Sequence, residues 1–134
     1  MNEQIGSQNP ASVLMVDDTP ANLELLSVML KGRGYKVRAA VSGELALQAV
    51  RNVPPDLILL DIMMPEMDGY TLQGKLQEID GLSRIPIIIL TARGQMKDLF
   101  ELSSNIFAFV EKPFEPKNLV KIVKDAVASR PSVS

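Results

Sequence analysis

Three stretches of this chain, Val13-Leu14-Met15-Val16, Leu57-Ile58-Leu59-Leu60 and Ile87-Ile88-Ile89-Leu90, are apolar at every position. A β-strand sends successive side chains to opposite faces, so a strand apolar throughout must be covered on both faces. A sheet with one wet face is thereby excluded, and a parallel sheet sandwiched between helices meets the demand. The intervening segments supply the helices. Thr19 is placed to cap the first, with Pro20 at its first position. Leu23, Leu26, Met29 and Leu30 form its apolar face, and Gly32 and Gly34 end it. Val37–Val41 is a weaker strand. Ser42 caps a second helix with Leu45, Ala46, Ala49 and Val50 inward, closed by Pro54-Pro55. Helices are expected over about 69–79, with Leu72, Leu76 and Ile79 inward, and about 94–103, with Met96, Leu99 and Phe100. Gly74 costs the former roughly 1 kcal/mol relative to Ala. Ile106–Val110 is a fifth strand. Pro116 opens a last helix carrying Leu119, Ile122, Val123, Ala126 and Val127 on one stripe. Alternating strands and helices with right-handed crossovers give an α/β, doubly wound parallel sheet.

The 134 residues suit one folded domain over 12–129. Residues 1–11 read as a flexible polar tail, and 130–134 as a second tail or the start of a linker. Fourteen basic residues stand against sixteen acidic ones, a net of -2, which argues against a direct nucleic-acid surface. Lys117, Lys121 and Lys124 recur at helical spacing on the last helix, as a solvated face or a stripe for a partner. No apolar run approaches the roughly 20 residues that span a bilayer, and the first residues lack the pattern of a signal peptide. The expectation is a cytoplasmic protein with no membrane contact.

Ligands of such sheets bind outside the carboxyl ends of the strands. Asp17-Asp18, Asp61, Thr91 and Lys112 fall at those ends. The chain has no cysteine and no histidine, so its chemistry is left to carboxylates, hydroxyls, amines and backbone. If Asp17, Asp18 and Asp61 converge, their mutual repulsion calls for a cation. Oxygen donors of this kind suit Mg2+. Lys112 adds a mobile positive charge, and Thr91 a hydroxyl. The set suits transfer of a phosphoryl group to Asp61, with acid disabling metal binding. Each residue also has a plainer reading. Asp17-Asp18 suits helix capping, Asp61 a turn, Thr91 a helix cap, and Lys112 a solvated surface. Phe109 suits the core, and Asp68-Gly69 a turn before a helix. A phosphatase using an aspartyl-phosphate usually needs a second Asp two residues after the nucleophile, where this chain has Met63. Asp17-Asp18-Thr19-Pro20 is a poor loop for flavin phosphate, and the P-loop pattern is absent.

In order and spacing, Val16-Asp17-Asp18, Leu60-Asp61-Ile62-Met63-Met64-Pro65-Glu66-Met67-Asp68-Gly69, Leu90-Thr91-Ala92 and Glu111-Lys112-Pro113-Phe114 resemble the receiver (CheY-like) domains of two-component response regulators. The likeness covers roughly residues 12–128. It implies a (βα)5 flavodoxin-like fold with strand order 2-1-3-4-5. It implies that Asp61 is the phosphoacceptor and that Asp17 and Asp18, with Asp61 and the Met63 carbonyl, hold Mg2+. Thr91 and Lys112 would bind the phosphoryl group, and Thr91 and Phe109 would form the switch. The Lys112–Pro113 bond is usually cis in that family. The donor would be a phosphohistidine on a sensor histidine kinase or phosphotransfer protein. The domain would catalyse its own phosphorylation and dephosphorylation rather than turn over a separate substrate. Its output would pass to a downstream effector or a fused output domain, with a homodimer as a family habit. An unphosphorylated binding module of the same fold is the competing reading.

Two features depart from the family pattern. Ser103-Ser104-Asn105-Ile106-Phe107-Ala108 replaces its usual Gly-Ala-Asp-like turn, and the stretch from Thr91 to Lys112 is about one residue short. Asn105 tolerates the left-handed conformation that would end the preceding helix. Met63 and Arg93, two residues beyond Asp61 and Thr91, are poor groups for orienting water, which implies a long-lived phospho-Asp61.

Overall fold

The computed structural model of the chain describes residues 11–61, 85–91, 106–112 and 114–129. The helices expected near 69–79 and 94–103 and the residues Met63, Asp68-Gly69, Gly74, Arg93, Asn105 and Pro113 lie outside them, as do residues 1–10, 130–134 and the side chain of Thr91. Ala11, expected in the first tail, is buried, and its carbonyl accepts the Lys36 N–H at 2.9 Å. The described elements are β1 (Ser12–Val16), α1 (Pro20–Lys31), β2 (Lys36–Ala40), α2 (Gly43–Asn52), β3 (Leu57–Asp61), β4 (Ile87–Thr91), β5 (Ile106–Glu111) and α3 (Pro116–Ser129). All five strands are parallel, in the order β2-β1-β3-β4-β5. This is the expected doubly wound order. Chain direction across the sheet reverses between β1 and β3, so the switch point lies between those two strands.

The alternation along β1 shows why its residues are all apolar. Leu14 and Val16 pack with Ala46, Leu47 and Val50 of α2. Val13 and Met15 pack with Leu23, Leu26 and Leu30 of α1 and with Leu119 and Val123 of α3. β3 and β4 divide in the same way, so both faces of the central sheet are dry. Full burial of each such side chain contributes about 1.5–3 kcal/mol. β2 is an edge strand with Lys36 and Ala39 exposed, which is why its run was less apolar. No helix among the described residues is long and apolar enough to cross a membrane.

Helix ends follow local chemistry. Ser42 caps α2 by accepting the Leu45 N–H at 3.2 Å. The phase of α2 differs from expectation: Leu47 is buried, whereas Leu45 is 47% exposed. At the far end of that helix, the Arg38 guanidinium donates to the carbonyls of Ala49 and Val53. α1 closes with Tyr35 N–H on the Leu30 carbonyl and Gly34 N–H on the Lys31 carbonyl, a Schellman arrangement. Gly34 takes φ 93°, the left-handed conformation this closure needs, while Gly32 stays right-handed. At the amino edge of the sheet, Asp56 and Ser12 bond reciprocally. The Asp56 carboxylate accepts the Ser12 N–H, and the Asp56 N–H donates to the Ser12 carbonyl, both at 2.8 Å.

β4 and β5 pair with one irregularity. Ile87 faces Ile106, but Ile88 faces Ala108, so Phe107 is an extra residue in β5. From Ala108 onward the pairing is regular up to Thr91 opposite Glu111.

Candidate functional site

The register sets the site before any side chain is considered. Val16 lies opposite Leu60, so Asp17, one residue past β1, comes level with Asp61 at the end of β3. Asp61 in turn lies opposite Leu90, and Thr91 opposite Glu111, so Lys112 follows at the same end of the sheet. The backbone of Asp17 is held by its N–H on the Ala40 carbonyl at 3.1 Å. Thus the carboxyl ends of four neighbouring strands deliver two acids, a threonine and a lysine to one rim.

Asp17 and Asp61 are buried, 1% and 4% exposed, whereas Asp18 is exposed. One carboxylate oxygen from each of the three lies within 4.8 Å of the others. Lys112 reaches across from the end of β5, placing Nζ 2.8 Å from Asp61 Oδ2 and 3.9 Å from Asp17 Oδ2. The acids and lysine found by spacing are therefore brought together. The three carboxylates and one ammonium leave a formal charge of -2, matched by a divalent cation. The donors are hard oxygens, and two are already desolvated, which fits Mg2+. Burial, the largest influence, pushes the Asp17 carboxyl above the ordinary 3.8, and the negative Asp61 adds to it. The Thr19 N–H, Lys112 and Asn22 work in the opposite direction.

The capping roles at the start of α1 differ from expectation. Thr19 is the N-cap residue, but its side chain caps nothing; Oγ1 instead donates to Asp18 Oδ1 at 3.3 Å. Asp17 takes the local role, its Oδ1 accepting the Thr19 N–H at 2.9 Å. The plain reading of Asp17 as an acid serving the helix start is thus partly right, and it coexists with the cluster. Phe109 is half-buried and packs against the core beneath α2. Asn22, which carried no expected role, donates Nδ2 to Asp17 Oδ2 at 3.3 Å. The signal available for it was its position one turn into the helix that begins just after Asp17-Asp18. A cavity of about 250 Å³ opens beside these groups, walled by Leu25, Leu26, Leu90 and Phe114.

Comparison with known proteins gives the same frame. The family model described as "Response regulator receiver domain" matches residues 13–124. The DNA-binding response regulator MtrA of Mycolicibacterium smegmatis is 40% identical over 113 residues, 84% of this chain and 48% of MtrA. The chain thus spans about half the length of that curated relative. Among solved structures, the signal receiver domain of a signal transduction histidine kinase from Syntrophus aciditrophicus is 31% identical with a TM-score of 0.80. That alignment covers 92% of this chain and 97% of that one. The receiver domain of the sensor histidine kinase PA1611 of Pseudomonas aeruginosa PAO1 is 28% identical with a TM-score of 0.80, covering 90% and 99%. Its structure has a magnesium ion coordinated in the active-site cleft. With its fold, strand-end acids and family match in agreement, the chain belongs to the response regulator receiver domain family.

Proposed function

We propose that the domain, spanning residues 12–129, is a phosphorelay switch in which Asp61 accepts a phosphoryl group from a partner's phosphohistidine. The observation that carries this reading is the Asp17–Asp18–Asp61 cluster with Lys112 Nζ 2.8 Å from Asp61. In the transfer, a carboxylate oxygen of Asp61 forms a bond to phosphorus as the phosphorus–nitrogen bond to the donor histidine breaks. The electron pair of that bond leaves with the imidazole. Lys112 follows the new charge from the carboxylate to a phosphoryl oxygen, and the Thr91 hydroxyl donates to another. Asp17 and Asp18, with Asp61 and the Met63 carbonyl, would hold Mg2+, which supplies charge neutralisation at the phosphoryl oxygens. Hydrolysis by the same residues returns the switch to its starting state, so the domain acts on itself rather than as an enzyme on a free substrate.

Phosphorylation adds charge to a buried rim and biases a two-state element. Thr91 moves toward the phosphoryl group, and Phe109, three residues before Lys112, follows it. The partners on this reading are a sensor histidine kinase or phosphotransfer protein upstream and an effector or fused output domain downstream. A homodimer is compatible with it, direct nucleic-acid binding is not part of it, and the setting is cytoplasmic. Incubation with acetyl phosphate and Mg2+ tests the core of the proposal. Intact-mass measurement should show one added phosphoryl group, absent without Mg2+ and absent in Asp61→Ala. Equal incorporation in Asp61→Ala would refute it.

A further inference from the structure

Both oxygens of Asp17 are committed. Oδ1 accepts the Thr19 N–H at 2.9 Å. Oδ2 accepts Asn22 Nδ2 at 3.3 Å and faces Lys112 Nζ at 3.9 Å. Asp17 is 1% exposed, so bulk water is poorly placed to substitute for either donor. A carboxylate has no proton to give, so the amide of Asn22 must present its NH2 group to it. Asn22 is itself fixed at the start of α1, its backbone N–H donating to the Thr19 carbonyl at 3.0 Å. The first turn of the helix therefore grips Asp17 at two points, one backbone and one side chain.

A neutral donor is the suitable choice there. A lysine or arginine would add a charge opposing a cation, and an acid would add a fourth carboxylate to the cluster. We infer that Asn22 is a positioning residue for the cation site: through Asp17 Oδ2 it holds the Asp17 carboxylate in the rotation that keeps the three acids convergent. The inference rests on the phosphoacceptor reading above and assigns a residue to it. Groups that orient a metal ligand without touching the metal change affinity by about 10- to 100-fold when removed. At 3.3 Å the lower end of that range applies.

The test is calorimetric titration of the full chain with Mg2+, with a thermal melt of the metal-free protein beside it. Asn22→Ala should weaken Mg2+ binding about tenfold with little change in the metal-free melting temperature, and Asn22→Gln should recover much of the affinity. Asn22→Leu repeats the test with side-chain volume retained. In an Asp17→Asn background, Asn22→Ala should add almost nothing. An affinity within twofold of wild type in both Asn22→Ala and Asn22→Leu would overturn the inference. So would a loss that persists undiminished in the Asp17→Asn background, because it would not pass through Asp17. If the unmodified chain itself binds no Mg2+, the underlying reading fails with it, an outcome distinct from failure of Asn22 alone.

Discussion

Replacing Lys112 with methionine separates the two things its ammonium does. In the metal-free protein that charge neutralises buried acids, with Nζ 2.8 Å from Asp61 and 3.9 Å from Asp17. At an effective dielectric of about 20, these contacts attract by about 6 and 4 kcal/mol before desolvation. Most of that offsets the cost of taking the charges out of water. Removing one partner of a fully buried pair costs about 3–5 kcal/mol, and an exposed pair is worth about 1 kcal/mol or less. The Lys112 side chain is 32% exposed, which places it between these limits. The expected loss is therefore about 2 kcal/mol, or roughly 6–10 °C in melting temperature for a domain of this size.

The pH dependence has a definite sign. The Asp17 carboxyl is raised above its unfolded value of 3.8, so its ionisation opposes folding. That penalty is absent below the unfolded value, grows as pH rises through the raised one, and is complete above it. Lys112 counters the shift, so the variant's deficit should be largest near neutral pH and shrink toward about pH 4. Mg2+ affinity should move the other way. With one like charge removed from the cluster, binding should tighten about five- to tenfold, while phosphoryl uptake falls. Circular-dichroism melts at two pH values and a calorimetric Mg2+ titration measure both effects. Weaker Mg2+ binding in Lys112→Met, or an unchanged melting temperature near neutral pH, would refute the electrostatic account.

Three further outcomes are expected. Leu47→Ala should cost about 2–5 kcal/mol in denaturant unfolding, against about 0.5 kcal/mol or less for the exposed Leu45→Ala, and equal costs would contradict the observed phase of α2. Gly34→Ala should lose about 1 kcal/mol although nothing lies within 4 Å of the added methyl, because the cost comes from the backbone at φ 93°; a neutral or stabilised variant would rule this out. Phospho-Asp61 should persist well beyond seconds in the presence of Mg2+, because Met63 and Arg93, two residues beyond Asp61 and Thr91 in the chain, are poor groups for orienting water, and phosphate release followed over time decides it.

The strands and the acids were legible because each followed from a local rule. Runs such as Leu57–Leu60 are apolar at every position only if both faces are covered, and a polar residue ending such a run must lie at the rim. The phase of α2 was harder. Leu45, Ala46, Leu47, Ala49 and Val50 crowd two possible faces, and helical spacing alone does not choose between Leu45 and Leu47. The packing of Leu47 beside Leu14 and Val16 makes that choice. Thr19 looked like a cap because of its residue type, yet its hydroxyl donates to Asp18 Oδ1, and the Asn22 N–H that it would have capped donates to the Thr19 carbonyl instead. Asn22 and Asp56 gave little signal because their partners, Asp17 Oδ2 and Ser12, are identified by three-dimensional placement. The irregularity at Phe107 was hidden for the same reason, since strand parity has meaning only against a paired neighbour.

That extra residue decides which way β5 faces the rest of the molecule. Side chains reverse at each step along a strand, so a one-residue insertion exchanges the two faces beyond it. With Phe107 accommodated, Phe109 lies opposite Ile89 and shares its core, while Val110 lies opposite Leu90 and shares the other. Because the adjustment is made at the entry to an edge strand, the four pairs from Ile88–Ala108 to Thr91–Glu111 run uninterrupted. The one-residue offset is thus taken up at Phe107, before the chain reaches the site, and Lys112 is indexed from the carboxyl end of the sheet, one step past the Thr91–Glu111 pair.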